Sequence, residues 1–90
     1  MIYRICTEDK NRRALQRRLD QQFEAYTVYK GRGAWRGISE ASLTIEIAVL
    51  DLSLAESLGK RVLRMAEWIK KRNRQEAVLV EQVASRNTLV

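Results

Sequence analysis

The stretch Tyr29-Lys30-Gly31-Arg32-Gly33-Ala34-Trp35-Arg36-Gly37-Ile38-Ser39-Glu40-Ala41-Ser42-Leu43 gathers residue types that suit small-molecule recognition. Its glycines permit left-handed or closely approaching backbone, and their amides can form an anion nest beside Lys30, Arg32 and Arg36. Tyr29 opens the segment, Trp35 offers a stacking surface, and Glu40 can accept a hydrogen bond from a hydroxyl or an exocyclic amine. The chemistry expected of this 29–42 loop is non-covalent capture of a small anionic ligand such as a nucleotide, or of a partner protein. The loop is neither a P-loop, since the GK[ST] ending and its helix are missing, nor the dinucleotide fingerprint. The plainer alternative is a bent hairpin whose Trp35 covers a hydrophobic gap, with Glu40 satisfying loop amides or pairing with Arg36.

A second group of residues is basic. Residues 60–74 hold Lys60, Arg61, Arg64, Lys70, Lys71, Arg72 and Arg74 against Glu67 alone, which accounts for the whole net charge of +6. Arg61, Arg64, Trp68 and Arg72 recur at three- and four-residue spacing, a stripe that could hold phosphates with Trp68 as a stacking platform. Arg12, Arg13, Arg17 and Arg18 on the first helix would extend it into a nucleic-acid surface. The alternative is a solvated helix face, with cations complementing the helix C-terminus and Trp68 at the edge of the core. RNA stacking on the central strands is disfavoured, because residues 43–49 contain no aromatic.

Covalent and acid–base chemistry is poorly served. The chain has no histidine and one cysteine, Cys6, so imidazole bases, imidazole metal ligands and an internal disulfide are all missing. Its carboxylates are scattered; Glu40 and Glu46 could converge across a hairpin, but acids so placed are more often solvated or paired with arginine. Cys6 at a strand end reads as a small packed residue. A non-enzymatic protein without cofactor or metal is expected.

Ninety residues, 46% hydrophobic and 31% charged with no proline, suit one small globular domain spanning residues 1–90. The longest apolar stretch, Ile47-Ala48-Val49-Leu50, is too short to span a bilayer and no leader opens the chain, so the expectation is a cytoplasmic protein without a membrane partner.

The elements that must position these residues follow from periodicity. Residues 2–6 are β-branched and aromatic, a first strand. Thr7 is the expected N-cap of a helix with Glu8 and Asp9 in its first turn and an apolar stripe of Leu15, Leu19 and Phe23. Residues 26–30 form a second strand leading into the glycine-rich loop. In residues 41–50 the alternation of Leu43, Ile45, Ile47 and Val49 with polar or small residues marks a half-buried strand. Ser53 and Glu56 form a capping box that opens a long helix through about Arg72, despite Gly59. Residues 77–84 are a last strand, and Ser85 to Val90 a tail. The order β-α-β-β-α-β predicts a ferredoxin-like α+β fold, a four-stranded antiparallel sheet with two helices on one face. Ala48 and Leu50, with Tyr29 or Val28, would then leave an apolar outer sheet face that calls for a homo-oligomer.

Trp35-x-Gly37, Glu40 and Ser42-Leu43-x-Ile45, together with the opening Ile5-Cys6-Thr7-Glu8, resemble the second hairpin and the start of the divalent-cation-tolerance CutA proteins and, more loosely, of the PII signalling group. The resemblance implies a ferredoxin-like homotrimer whose hairpin extends across a neighbouring subunit and whose ligands, often nucleotides, sit in clefts between subunits. Trp35, Gly37 and Glu40 are the positions that match. A PII/CutA-like regulatory or ligand-binding protein is the leading expectation; a nucleic-acid-associated protein, or a protein-binding inhibitor or adaptor, is the alternative.

Overall fold

The computed structural model describes residues 1–84, so the tail expected over Ser85 to Val90 lies outside the described residues. Strands β1 (Ile2–Glu8), β2 (Thr27–Trp35), β3 (Ile38–Ala48) and β4 (Leu79–Val83) and helices α1 (Arg12–Gln22) and α2 (Ala55–Asn73) run in the order β1-α1-β2-β3-α2-β4, with a single 3-10 turn at Leu52–Leu54 before α2. All strand pairs are antiparallel and the sheet order is β2-β3-β1-β4.

This order corrects the ferredoxin-like assignment. The sheet is not a meander, because β1 lies between β3 and β4, and the chain fits that named fold only loosely. The β2–β3 hairpin runs past the end of β1, so Ile38 to Glu40 pair with β2 alone and form a two-stranded arm, while β4 is only five residues long. What stands is the coarser description, four antiparallel strands carrying two helices.

One face of the sheet makes the core. Tyr3 and Ile5 from β1 and Leu43, Ile45 and Ile47 from β3 are buried against Leu15, Leu19 and Phe23 of the first helical segment and Val62, Met65, Ala66 and Ile69 of α2. The period-two and four-residue stripes of the sequence are these contacts. Gly59 has its own reason to be there: a Cβ at that position would lie 2.6 Å from the Tyr3 hydroxyl, which donates to the Ala55 carbonyl at 3.0 Å.

Several boundaries move. Thr7 and Glu8 are strand residues, held by pairing to Leu43 and Ser42, so Thr7 caps no helix; α1 begins after Asn11, which adopts the left-handed region at φ 52. Ser53 caps no helix: Asp51 caps the 3-10 turn, its carboxylate accepting from the Ser53 backbone N–H at 3.0 Å and hydroxyl at 2.7 Å, α2 itself follows Leu54 with no side-chain cap, and Glu56 lies 3.8 Å from Lys60 one turn on. The glycine-rich segment is regular strand, not loop. Only Arg36 and Gly37 turn the chain, both at positive φ (51 and 79), which is the two-residue hairpin turn whose twist matches the flanking strands.

The outer sheet face is mixed, and its apolar residues are not all the expected ones. Val28 packs inward against the core and Leu50 lies beyond β3, while the outward rows carry Arg4, Glu46 and Glu81 among Ile2, Tyr29, Ala48, Leu79 and Val83. Arg4 Nε sits 3.0 Å from Glu46 Oε1, so Glu46 is spent on arginine and does not converge with Glu40.

Candidate functional site

A concavity of about 520 Å³ lies between the arm and the segment that links α2 to β4. Its floor is the outward end of β1 and β3 (Cys6, Glu8, Ser42, Thr44), one wall is the arm (Gly33, Trp35, Glu40), and the other is the run from Gln75 to Leu79. Strand alternation explains the selection: Glu8, Glu40 and Ser42 share the outward face, and Glu40 stands opposite Gly33. Gly33 keeps that wall low; a Cβ there would only touch Ser42 at 3.8 Å, so the glycine is not sterically required.

The second wall is fixed by a chain of amides. Asn73, buried at the end of α2, accepts from Asn11 Nδ2 at 2.8 Å and donates to Gln75 Oε1 at 2.7 Å. Gln75 Oε1 also accepts from the Thr7 hydroxyl at 2.5 Å, and Gln75 Nε2 donates to the Ala77 carbonyl at 3.1 Å. Arg74, in the left-handed region at φ 55, ends the helix and turns the chain into this wall. Glu76 then latches the arm, accepting from Trp35 Nε1 at 3.0 Å and lying 2.8 Å from the Arg36 guanidinium, which stacks over the Trp35 ring at 5.8 Å.

Two carboxyls face each other on the floor. Lys10, 2.6 Å from Glu8 Oε2, holds the Glu8 carboxyl below the usual carboxylate range. Glu40 is pushed the other way, by loss of solvent and then by the hydrogen bond and charge of Glu8. The pair therefore holds a proton on Glu40 more readily than on Glu8. Cys6, whose thiol burial pushes upward, donates weakly to Glu81 Oε1 at 3.7 Å. Among the described residues, no group of three or more His, Cys, Asp and Glu side chains could hold a metal ion.

The expected site residues are divided by this geometry. Trp35 and Glu40 line the cavity. Arg36 is engaged with Glu76. Lys30 and Arg32 follow Val28 onto the opposite face of β2, and Tyr29 opens onto a shallower depression with Arg4, Glu46 and Glu81 further along the sheet. Among the described residues no Lys or Arg lines this cavity, whereas Glu8, Glu40 and Glu76 do, so Lys30, Arg32 and Arg36, the cations that suggested an anion nest, are not brought together around it.

The basic stripe is likewise committed in part. Arg61 donates to the Gln22 carbonyl at the end of α1 and lies over the Phe23 ring at 5.6 Å. Trp68 is half-buried and covered by Arg18 at 5.2 Å, so one face of its ring is already occupied. Arg64 and Arg72 are exposed.

Glu8, Thr7, Gln75 and Glu76 escaped the sequence reading. Thr7 and Glu8 look like the start of a helix, and Gln75-Glu76 like any polar turn; only the sheet register sets them around one cavity.

No protein-family model matches the chain, and no curated protein matches it. Fifteen chains of solved structures do, among them the de novo designed protein Foldit4, 22% identical to this chain over 94% of both, with a TM-score of 0.49. At that score the likeness carries no argument about function.

Proposed function

We propose that this is a non-enzymatic ligand-binding or regulatory protein that takes a small molecule into the cavity between the arm and the 75–79 segment. The observation that carries the reading is the convergence of Trp35, Glu8, Glu40 and Gln75 on one concavity of about 520 Å³, a size suited to a small ligand. Because the charged lining is carboxylate, the ligand is one with an apolar or ring body against Trp35, Val78 and Leu79 and a donor group, an amine or amide, directed at Glu8 and Glu40. That chemistry replaces the anion expected from the cations of the 29–42 segment.

The regulatory part rests on the latch. A ligand that competes for Glu76 would release Arg36 and Trp35, and with them the exposed tip of the arm at Ile38. A homo-oligomer, with a trimer favoured, belongs to the same proposal, supported by the apolar tip and by the CutA-like hairpin motif. A cytosolic location is supported by the free, half-buried thiol of Cys6. Among the described residues, no helix is long and apolar enough to cross a membrane.

The test is a fluorescence titration of the Trp68→Phe variant, in which Trp35 is the remaining tryptophan, with a panel of cyclic amines, nucleosides and nucleoside phosphates, beside light scattering for native mass. Amines or nucleosides should quench or shift Trp35, with affinity falling at least tenfold in Glu40→Ala, roughly what a lost charge-assisted hydrogen bond gives. Tight binding confined to the phosphates, unaffected by Glu40→Ala, would sink the reading.

A further inference from the structure

We propose that the outer edge of β2 is a docking site for an extended, acidic segment of another protein, which would add to the sheet as a fifth strand. The inference is independent of the cavity.

The register identifies the free groups. Asp9 N–H donates to the Ala41 carbonyl at 3.0 Å and Val49 N–H to the Met1 carbonyl at 2.9 Å, so the odd-numbered residues of β3 turn their backbone groups towards β1. The even-numbered ones therefore face β2, and their partners there are odd: Thr27, Tyr29, Gly31, Gly33 and Trp35. Val28, Lys30, Arg32 and Ala34 consequently point N–H and C=O out of the sheet, along a nine-residue edge strand that no helix or loop covers among the described residues. There is no proline, bulge or break in it. Such an edge is the template used in strand addition.

Charge selects the occupant. Lys30 and Arg32 are exposed, lie on the same face of β2, and have no ion-pair partner among the described residues. An antiparallel pairing of two copies that uses the whole edge is centred on Gly31 and sets Lys30 against the second copy's Arg32, a like-charge pair that is unfavourable directly across strands. A strand with Asp or Glu at alternate positions meets both cations on one face while its backbone takes up the four free residues. The same two cations thus discourage self-association along this edge and favour an acidic partner.

The experiment uses the full chain and two peptides, acetyl-Thr-Glu-Val-Glu-Val-Glu-Thr-amide and its counterpart with Lys for each Glu. Anisotropy should show the acidic peptide binding at least tenfold tighter than the basic one, with the preference reversed in the Lys30→Glu/Arg32→Glu variant. Amide exchange supplies the independent reading: the acidic peptide should slow Val28, Lys30, Arg32 and Ala34, whereas Tyr29, Gly31 and Gly33 are already protected by β3. Charge-dependent binding without slowing of those four amides would reduce the effect to surface attraction and overturn the proposal. A dimer in which the four are already slow without peptide would give the edge to a second copy and overturn it equally.

Discussion

Replacing Gly59 with alanine should destabilise the protein although it improves the helix. In the interior of α2 the substitution is worth about 1 kcal/mol of helix propensity in favour of alanine. Against it stands the Tyr3 side chain, whose Oη, Cζ and Cε1 would lie 2.6, 3.1 and 3.6 Å from the new Cβ. Tyr3 cannot give way easily: it is 8% exposed, sits on a central strand paired on both sides, and its hydroxyl is bonded to the Ala55 carbonyl. Displacing it sacrifices a hydrogen bond, about 1 kcal/mol, and overpacks the core at about 1–3 kcal/mol. The balance is a loss of about 1–3 kcal/mol, which for a domain of this size lowers Tm by about 5–20 °C. Tyr3→Phe removes the atom at 2.6 Å and leaves the nearest at 3.1 Å, so the double variant should recover part of the loss and the two substitutions should couple by about 1 kcal/mol. Urea unfolding followed by circular dichroism measures all four chains of the cycle. A Gly59→Ala protein as stable as the parent, or additive behaviour in the double variant, would refute the reasoning.

The other predictions concern polar groups. Asn73→Ala should cost about 1–3 kcal/mol in the same assay, since it leaves Asn11 and Gln75 without their shared buried partner. Loss of solvent, and then the hydrogen bond that its hydroxyl donates to the Asp20 carboxylate, push Tyr26 from 10.0 to about 12; absorbance at 295 nm should show one tyrosine titrating last, and Tyr26→Phe should remove that step. Because this pKa is raised on folding, its contribution to stability is complete below pH 10 and is lost between pH 10 and about 12. Glu40 is also raised, so its favourable protonated form is lost as pH rises above its ordinary 4.5, while the Glu8–Lys10 pair, lowered, is lost as pH falls below it. Glu40→Gln should therefore gain Tm relative to the parent at pH 7 compared with pH 4, and an equal difference at both would show that neither loss of solvent nor Glu8 raises Glu40.

The sequence alone determined the elements and their inward faces. Leu15, Leu19 and Phe23 at four-residue spacing, and Leu43, Ile45, Ile47 and Val49 at two, are local statements, because a helix or strand that buries one side must write its period into the chain. The tertiary structure decided what local pattern leaves open. Glycines in 31–37 read as a loop, yet pairing with β3 keeps residues 31–35 extended, and only Arg36 and Gly37 turn. Thr7 and Glu8 carry helix-cap chemistry, but β3 holds them in the sheet and so delivers Glu8 to Glu40. Lys30 and Arg32, neighbours of Trp35 in sequence, fall on the other side of the sheet because alternate strand residues face opposite ways. Gln75 and Glu76 reach the site from forty residues away in the chain only because β4 returns beside β1. A composition of cations suggested an anion site; strand register, which no single residue encodes, placed three carboxylates around the cavity instead.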